Sequence, residues 1–227
     1  MKVIQANERI CHSMGQAKQR GTKEERISLA KPKPQKSAST RPPSPEEMMR
    51  LAELAKRLDP LIDGLTTPAS IDERVLQFAS QLSHQPPQVL ACEPELWSRE
   101  SCCDLNVQKY MEEHGGSMLC GYRIWYTAPR YIEGERHAVW TDGVTIRDVS
   151  FSVSGETQTV FVPDDLGFDA APEKVRHVFE EGDKAALVAY EKMADTMSQF
   201  MPKPSASQSW RQARTYETWL AGQTASR

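Results

Sequence analysis

The sequence predicts an α+β domain: a small, mostly antiparallel sheet packed on a cysteine-bearing helix, with flanking helices and a disordered basic N-terminal arm. Three observations lead there. Apolar residues recur three and four apart between residues 44 and 84, the helical period. Between residues 119 and 162 they give way to β-branched and aromatic runs broken by Thr141-Asp142-Gly143, the signal of a tight hairpin. The first 45 residues lack the apolar content a core requires.

The arm stands out by charge. Residues 1–45 carry ten Lys or Arg and three Glu, a net of +7, within a 227-residue chain whose formal charge is −3. A basic arm on an acidic body suits folding back on that body, weak contact with nucleic acid through residues 14–45, or a solvated tail. Ala30 to Pro45 holds five prolines and four Lys or Arg, and reads as an extended linker. Before it, Thr22 and Glu25 form a capping-box pair for one short helical stretch. Whether the native chain starts at Met1 or Met14 is open. No run approaches the roughly 18 to 20 apolar residues of a membrane span, and no apolar signal core opens the chain, so a cytoplasmic protein without a membrane partner is expected.

Within the single domain, residues 46–200, a helical lead-in occupies 46–84. Ser44-Pro45-Glu46-Glu47 starts its first helix, with a hydroxyl cap, proline at the first helical position and acids in the first turn; it stops before Pro60. A second helix starts at Ser70, with Glu73 completing a capping box, and ends near His84 before Pro86-Pro87. The Cys-helix and sheet core follows over 86–165. Gln88 to Ala91 reads as a short strand, residues 93–100 as a loop holding Trp97, and Cys103 to His114 as a helix capped by Ser101 and stopped by Gly115-Gly116. Strands follow over Leu119–Thr127, Tyr131–Thr141, Val144–Val153 and Gln158–Val162. The chain then turns helical, at Glu173–Glu181 and Lys184–Phe200. Residues 201–227 form a linker and a short helix, in which Trp210, Ala213, Tyr216, Trp219 and Leu220 share a face over 210–220.

The five cysteines, Cys11, Cys92, Cys102, Cys103 and Cys120, contain no C-x-x-C pair, so reduced thiols are expected. Among them Cys103 is placed for chemistry. A thiol at a helix N-terminus meets partial positive charge and free N–H groups, which favour the reactive thiolate. His137, within the strand E-R-H-A-V-W, can pair with it, and Asp148, one strand later, can hold the imidazole. Asn106 on the helix and Asp142 in the hairpin are alternative orienting groups. Gln88 is the nearest candidate for an oxyanion donor beside the Cys103 amide.

The stretches S-C-C-D-L-N-V, G-E-R-H-A-V-W and T-I-R-D-V-S are similar in order and placement to papain-like and transglutaminase-like thiol enzymes. His137-Ala138-Val139-Trp140 looks like the H-A-W run of transglutaminase-like strands with one residue inserted. More closely, C-x-x-N-V, H-G-G, G-Y-x-I-W, E-x-x-H-A-V-W, D-V and F-V-P-D, spanning residues 86–165, resemble a recurring group of uncharacterised bacterial proteins. The start M-G-Q-A-K-Q-R-G-T-x-E-E-R resembles that of other small bacterial or plasmid-borne proteins. The resemblance implies a sheet-packed Cys-helix and catalysis by Cys103, His137 and Asp148.

Each residue has a structural alternative. Cys102 and Cys103 suit small apolar fillers, His137 a hydrogen-bonded core histidine, Asp148 an acid paired to arginine, and Asn106 a backbone bracket. Cys102, Cys103, His114, Cys120 and His137 lie within 36 residues but lack zinc-site spacing, so no metal is expected. No phosphate-loop or dinucleotide motif occurs, and no cofactor is implied. Two functions compete. One is a thiol hydrolase or acyltransferase acting on a peptide, amide or ester whose identity the sequence leaves open. The other is a non-catalytic binding module whose arm, through Lys18, Arg20, Lys23 and Arg26, contacts nucleic acid or an acidic partner.

Overall fold

The computed structural model describes residues 43–201 and 203–225. The basic arm, the stretch from Thr22 and most of the linker fall in residues 1–42, outside the described residues.

Helix α1 (Pro45–Ala55) starts on a full capping box: Ser44 Oγ accepts the Glu47 N–H and Glu47 accepts the Ser44 N–H. Helix α1 ends before Pro60, as expected, but a further short helix follows it. A 3-10 turn (Lys56–Leu58) leads into α2 (Asp59–Asp63), where Pro60 sits in the first turn and its missing N–H costs nothing. Helix α3 (Glu73–Leu82) is capped by Asp72, whose carboxylate takes the Val75 N–H at 2.9 Å, and not by Ser70.

Next come β1 (Gln88–Ala91) and α4 (Cys103–His114), the latter ending at Gly115, φ 70°, a left-handed backbone glycine adopts without strain. Strands β2 (Ser117–Thr127) and β3 (Tyr131–Thr141) form a long antiparallel hairpin. The strand expected over Val144–Val153 shrinks to β4 (Ile146–Arg147), because residues 148–152 turn inward to bond the helix side of the core. Strand β5 (Gln158–Pro163) pairs with both β1 and β2.

A helix over Glu173–Glu181 is corrected to a strand, β6 (Lys174–Val178), followed by α5 (Glu181–Ser198). Helical and strand periods are poorly separated over five residues, and the open edge of β3 at Tyr131–Glu135 settles the choice by pairing. The C-terminal helix is two helices, α6 (Ala206–Gln212) and α7 (Tyr216–Ala225), because Thr215 leaves the helix to bridge Arg99.

The strand order is β1-β5-β2-β3-β4, with β6 beside the first half of β3. A parallel bridge between Cys92 and Asp148 joins the end of β1 to the residue after β4, so the sheet nearly closes on itself. Helix α3 buries Val75, Phe78 and Ala79 on the outer face presented by Tyr122, Ile124, Tyr126 and Ile132. Helix α4 packs Val107 and Tyr110 against Ala138 and Val149. Leu58, Leu61, Tyr131, Val178 and Ala186 form a third cluster under α5. Among the described residues no helix is long and apolar enough to cross a membrane.

Candidate active site

Alternation along β3 sends Ala138 toward α4 and turns His137 onto the other face, where its ring meets the edge of Phe161 on β5 with centroids 6.3 Å apart. Gly121 faces His137 across the β2–β3 ladder and leaves that position without a side chain. The chain reaches Cys103 through Ser101, whose φ of 54° is left-handed backbone that residues with a Cβ rarely adopt. Helix α4 then starts at Cys103, with Cys102 as a cap that supplies no side-chain bond. The first-turn amides therefore lack the Ser101 cap expected for them.

Asn106 makes this approach rigid. Its Oδ1 accepts the Arg99 N–H at 2.7 Å, and its Nδ2 donates to the Arg99 carbonyl at 2.9 Å and to Ser150 Oγ at 3.2 Å. Fully buried, Asn106 ties the loop before Cys103 to the segment after Asp148. It does not orient the imidazole. That role falls to Asp148: His137 Nε2 donates to Asp148 Oδ2 at 2.9 Å, and Nδ1 makes no hydrogen bond among the described residues.

The Asp148 carboxylate is fully buried and satisfied on both oxygens. Oδ2 also accepts Arg123 Nη2 at 2.7 Å and faces Cys92 Sγ at 3.8 Å, while Oδ1 accepts the Ser150 N–H at 2.9 Å. Burial alone would raise its pKa, but the His137 and Arg123 cations, the His137 hydrogen bond and the Ser150 amide outweigh burial and hold it down to about 2. Burial likewise opposes charging of His137. Asp148 overcomes that penalty, against the Arg123 cation and with support from Cys103, and lifts the imidazole to about 9. Burial and the Asp148 charge instead push the Cys92 thiol up to about 12, the behaviour of an inert thiol.

Cys103, Arg123, Trp125, His137, Ser150 and Phe151 line one cavity of about 730 Å³, with Pro204 and Ser209 of the C-terminal segment on its wall. Cys103 is partly exposed there, whereas Cys102 beside it is buried and acts as an apolar filler. Comparison with known protein families, curated proteins and solved structures finds no match. The chemistry of the site rests on its own geometry.

Of the residues singled out from sequence, Cys103 and His137 both line this cavity, and Asp148 is hydrogen-bonded to His137. Gln88 does not join them. It pairs with Phe161 at the far end of β1 from Cys92 and is not part of the cavity wall, so it supplies no oxyanion donor. Asp142 is exposed at the hairpin and accepts the Val144 and Thr145 amides, a turn role. Among the described residues no group of three His, Cys, Asp or Glu side chains is placed to hold a metal ion.

Sequence reasoning missed Arg123, Cys92, Thr159 and Ser150. Arg123 carries the one usable signal: an arginine between Tyr122 and Ile124 in a strand whose neighbours are buried. A charge there needs a partner, and Asp148 is that partner.

Proposed function

We propose that the protein is a cysteine-nucleophile hydrolase or acyltransferase acting on an amide or ester. The observation that carries this reading is the buried His137–Asp148 pair opening on the cavity that also exposes Cys103 at a helix N-terminus. In this mechanism His137 holds the proton as an imidazolium stabilised by Asp148, paired with the Cys103 sulfur as the nucleophile. The Cys103 sulfur attacks the carbonyl carbon, and the first-turn N–H of α4 faces the developing oxyanion. His137 then returns the proton to the leaving amine or alcohol. Water or a second acceptor releases the acyl group by the reverse path.

Acyl transfer through Cys103 and His137 needs no cofactor. Residue chemistry fixes the acyl carbon as the point of attack and leaves the rest of the substrate to the cavity. The competing reading, a binding module acting through the basic arm, rests on residues outside those described.

The test is the alkylation rate of Cys103 by iodoacetamide against pH, read by peptide mass spectrometry in the wild type and in His137→Ala. At neutral pH the wild-type thiol should react about tenfold faster than the thiol of the variant. A Cys103 that reacts equally fast in both proteins overturns the proposal.

A further inference from the structure

Arg123 is 95% buried, and most of its guanidinium is already committed. Nε donates to Thr159 Oγ1 at 3.1 Å, and Nη2 donates to Asp148 Oδ2 at 2.7 Å and faces Cys92 Sγ at 3.7 Å. Nη1 makes no hydrogen bond among the described residues, and it is not among the buried unpartnered atoms. The little surface Arg123 exposes therefore belongs to the cavity shared with Cys103 and His137. The guanidinium is a rigid planar fork, so fixing Nε and Nη2 also fixes where Nη1 points. The Trp125 ring, 5.4 Å from the guanidinium carbon, flanks the group.

No side chain caps the first turn of α4, which leaves the Cys103 amide as the first-turn donor nearest the thiol. Two donors are the usual requirement for holding an oxyanion through a tetrahedral intermediate.

Resting on the reading of Cys103 as nucleophile, we propose that Arg123 Nη1 is the second donor, receiving the substrate's carbonyl oxygen as negative charge moves onto it. During attack the C–S bond forms and the carbonyl π pair moves to oxygen. When that pair returns, the bond to the leaving group breaks. With an ester of 4-nitrophenol the group departs as 4-nitrophenolate, and His137 keeps the thiol proton. Asp148 already offsets the Arg123 charge, so the extra hydrogen bond strengthens mainly as the oxyanion develops, where it accelerates the step.

The experiment compares two reactions at Cys103: acylation by 4-nitrophenyl acetate, which passes through an oxyanion, and alkylation by iodoacetamide, which does not. Both are read on the Cys103 peptide, in wild type and in Arg123→Lys, which keeps a cation for Asp148 but loses the fork. The ratio of acylation to alkylation should fall about 100-fold in the variant. An unchanged ratio, with both rates falling together, means that Arg123 only holds Asp148 and overturns the assignment. A wild-type Cys103 that neither reagent modifies overturns the nucleophile reading and the Arg123 assignment with it. Should the variant not fold, the wild type decides by ¹⁵N NMR. A trifluoromethyl ketone, which forms a hemithioketal oxyanion on Cys103, should shift the Arg123 Nη resonance, and methyl methanethiosulfonate should not; no shift with the ketone overturns the proposal.

Discussion

At Asp148 a single carboxylate serves His137, Arg123 and the Ser150 amide at once, with no solvent to share the load. Such an arrangement couples the site to proton binding, and the two partners set opposite limbs of the curve. His137 rises from 6.5 to about 9 on folding, so its contribution is complete below pH 6.5 and is lost as pH climbs through about 9. Asp148 falls from 3.8 to about 2, so its contribution is complete above pH 3.8 and is lost as pH drops through about 2. Urea midpoints measured from pH 2 to 10 should therefore peak between these limits. His137→Gln should flatten the alkaline limb between pH 6.5 and 9. A variant that keeps that limb would show that another group carries it.

Among the elements, the β2–β5 contact decides how closely the sheet wraps around His137. A Cβ at Gly121 would come within 2.2 Å of the Val162 carbonyl and 2.7 Å of the Phe161 ring, both parts of the partner strand. Gly121→Ala should therefore destabilise the fold by about 3 kcal/mol, since overpacking displaces backbone rather than a flexible side-chain end. Equilibrium denaturation measures it, and a cost under about 0.5 kcal/mol would show that the strands part without penalty. Elements with strong local signals were legible in the sequence. Helix α4 ends at Gly115-Gly116, α1 starts on its Ser44 box, and β3 spans Tyr131–Thr141 as its aromatic and β-branched pattern requires. Elements decided by pairing were not. Strand β6 forms because β3 has an open edge, and the stretch after Arg147 leaves the ladder because Asp148 is drawn to Arg123 and His137.

For the whole molecule, the C-terminal segment is a structural part of the site. The Glu100 N–H donates to the Arg214 carbonyl at 3.0 Å, the Tyr216 N–H to the Ser98 carbonyl at 2.8 Å, and Arg99 lies over Trp210, so residues 210–216 brace the loop that delivers Cys103. Phe151, on the cavity wall, packs on Tyr216 and Trp219. Removing residues 203–227 should raise backbone hydrogen exchange in residues 96–101 at least tenfold while leaving the β2–β3 hairpin protected. Unchanged exchange in the loop would mean that Asn106 alone holds it.

The sequence by itself determined the helical lead-in, the Cys-helix, the central hairpin and the order Cys103, His137, Asp148, because caps, glycine stops and strand alternation are written in neighbouring residues. Only the tertiary structure decided that Asp148 rather than Asn106 or Asp142 holds the imidazole, that Gln88 stands apart, and that Arg123 enters the site. Those outcomes follow from near-closure of the sheet, which joins Cys92 to Asp148 across 56 residues of chain and buries three charged groups where each requires the others.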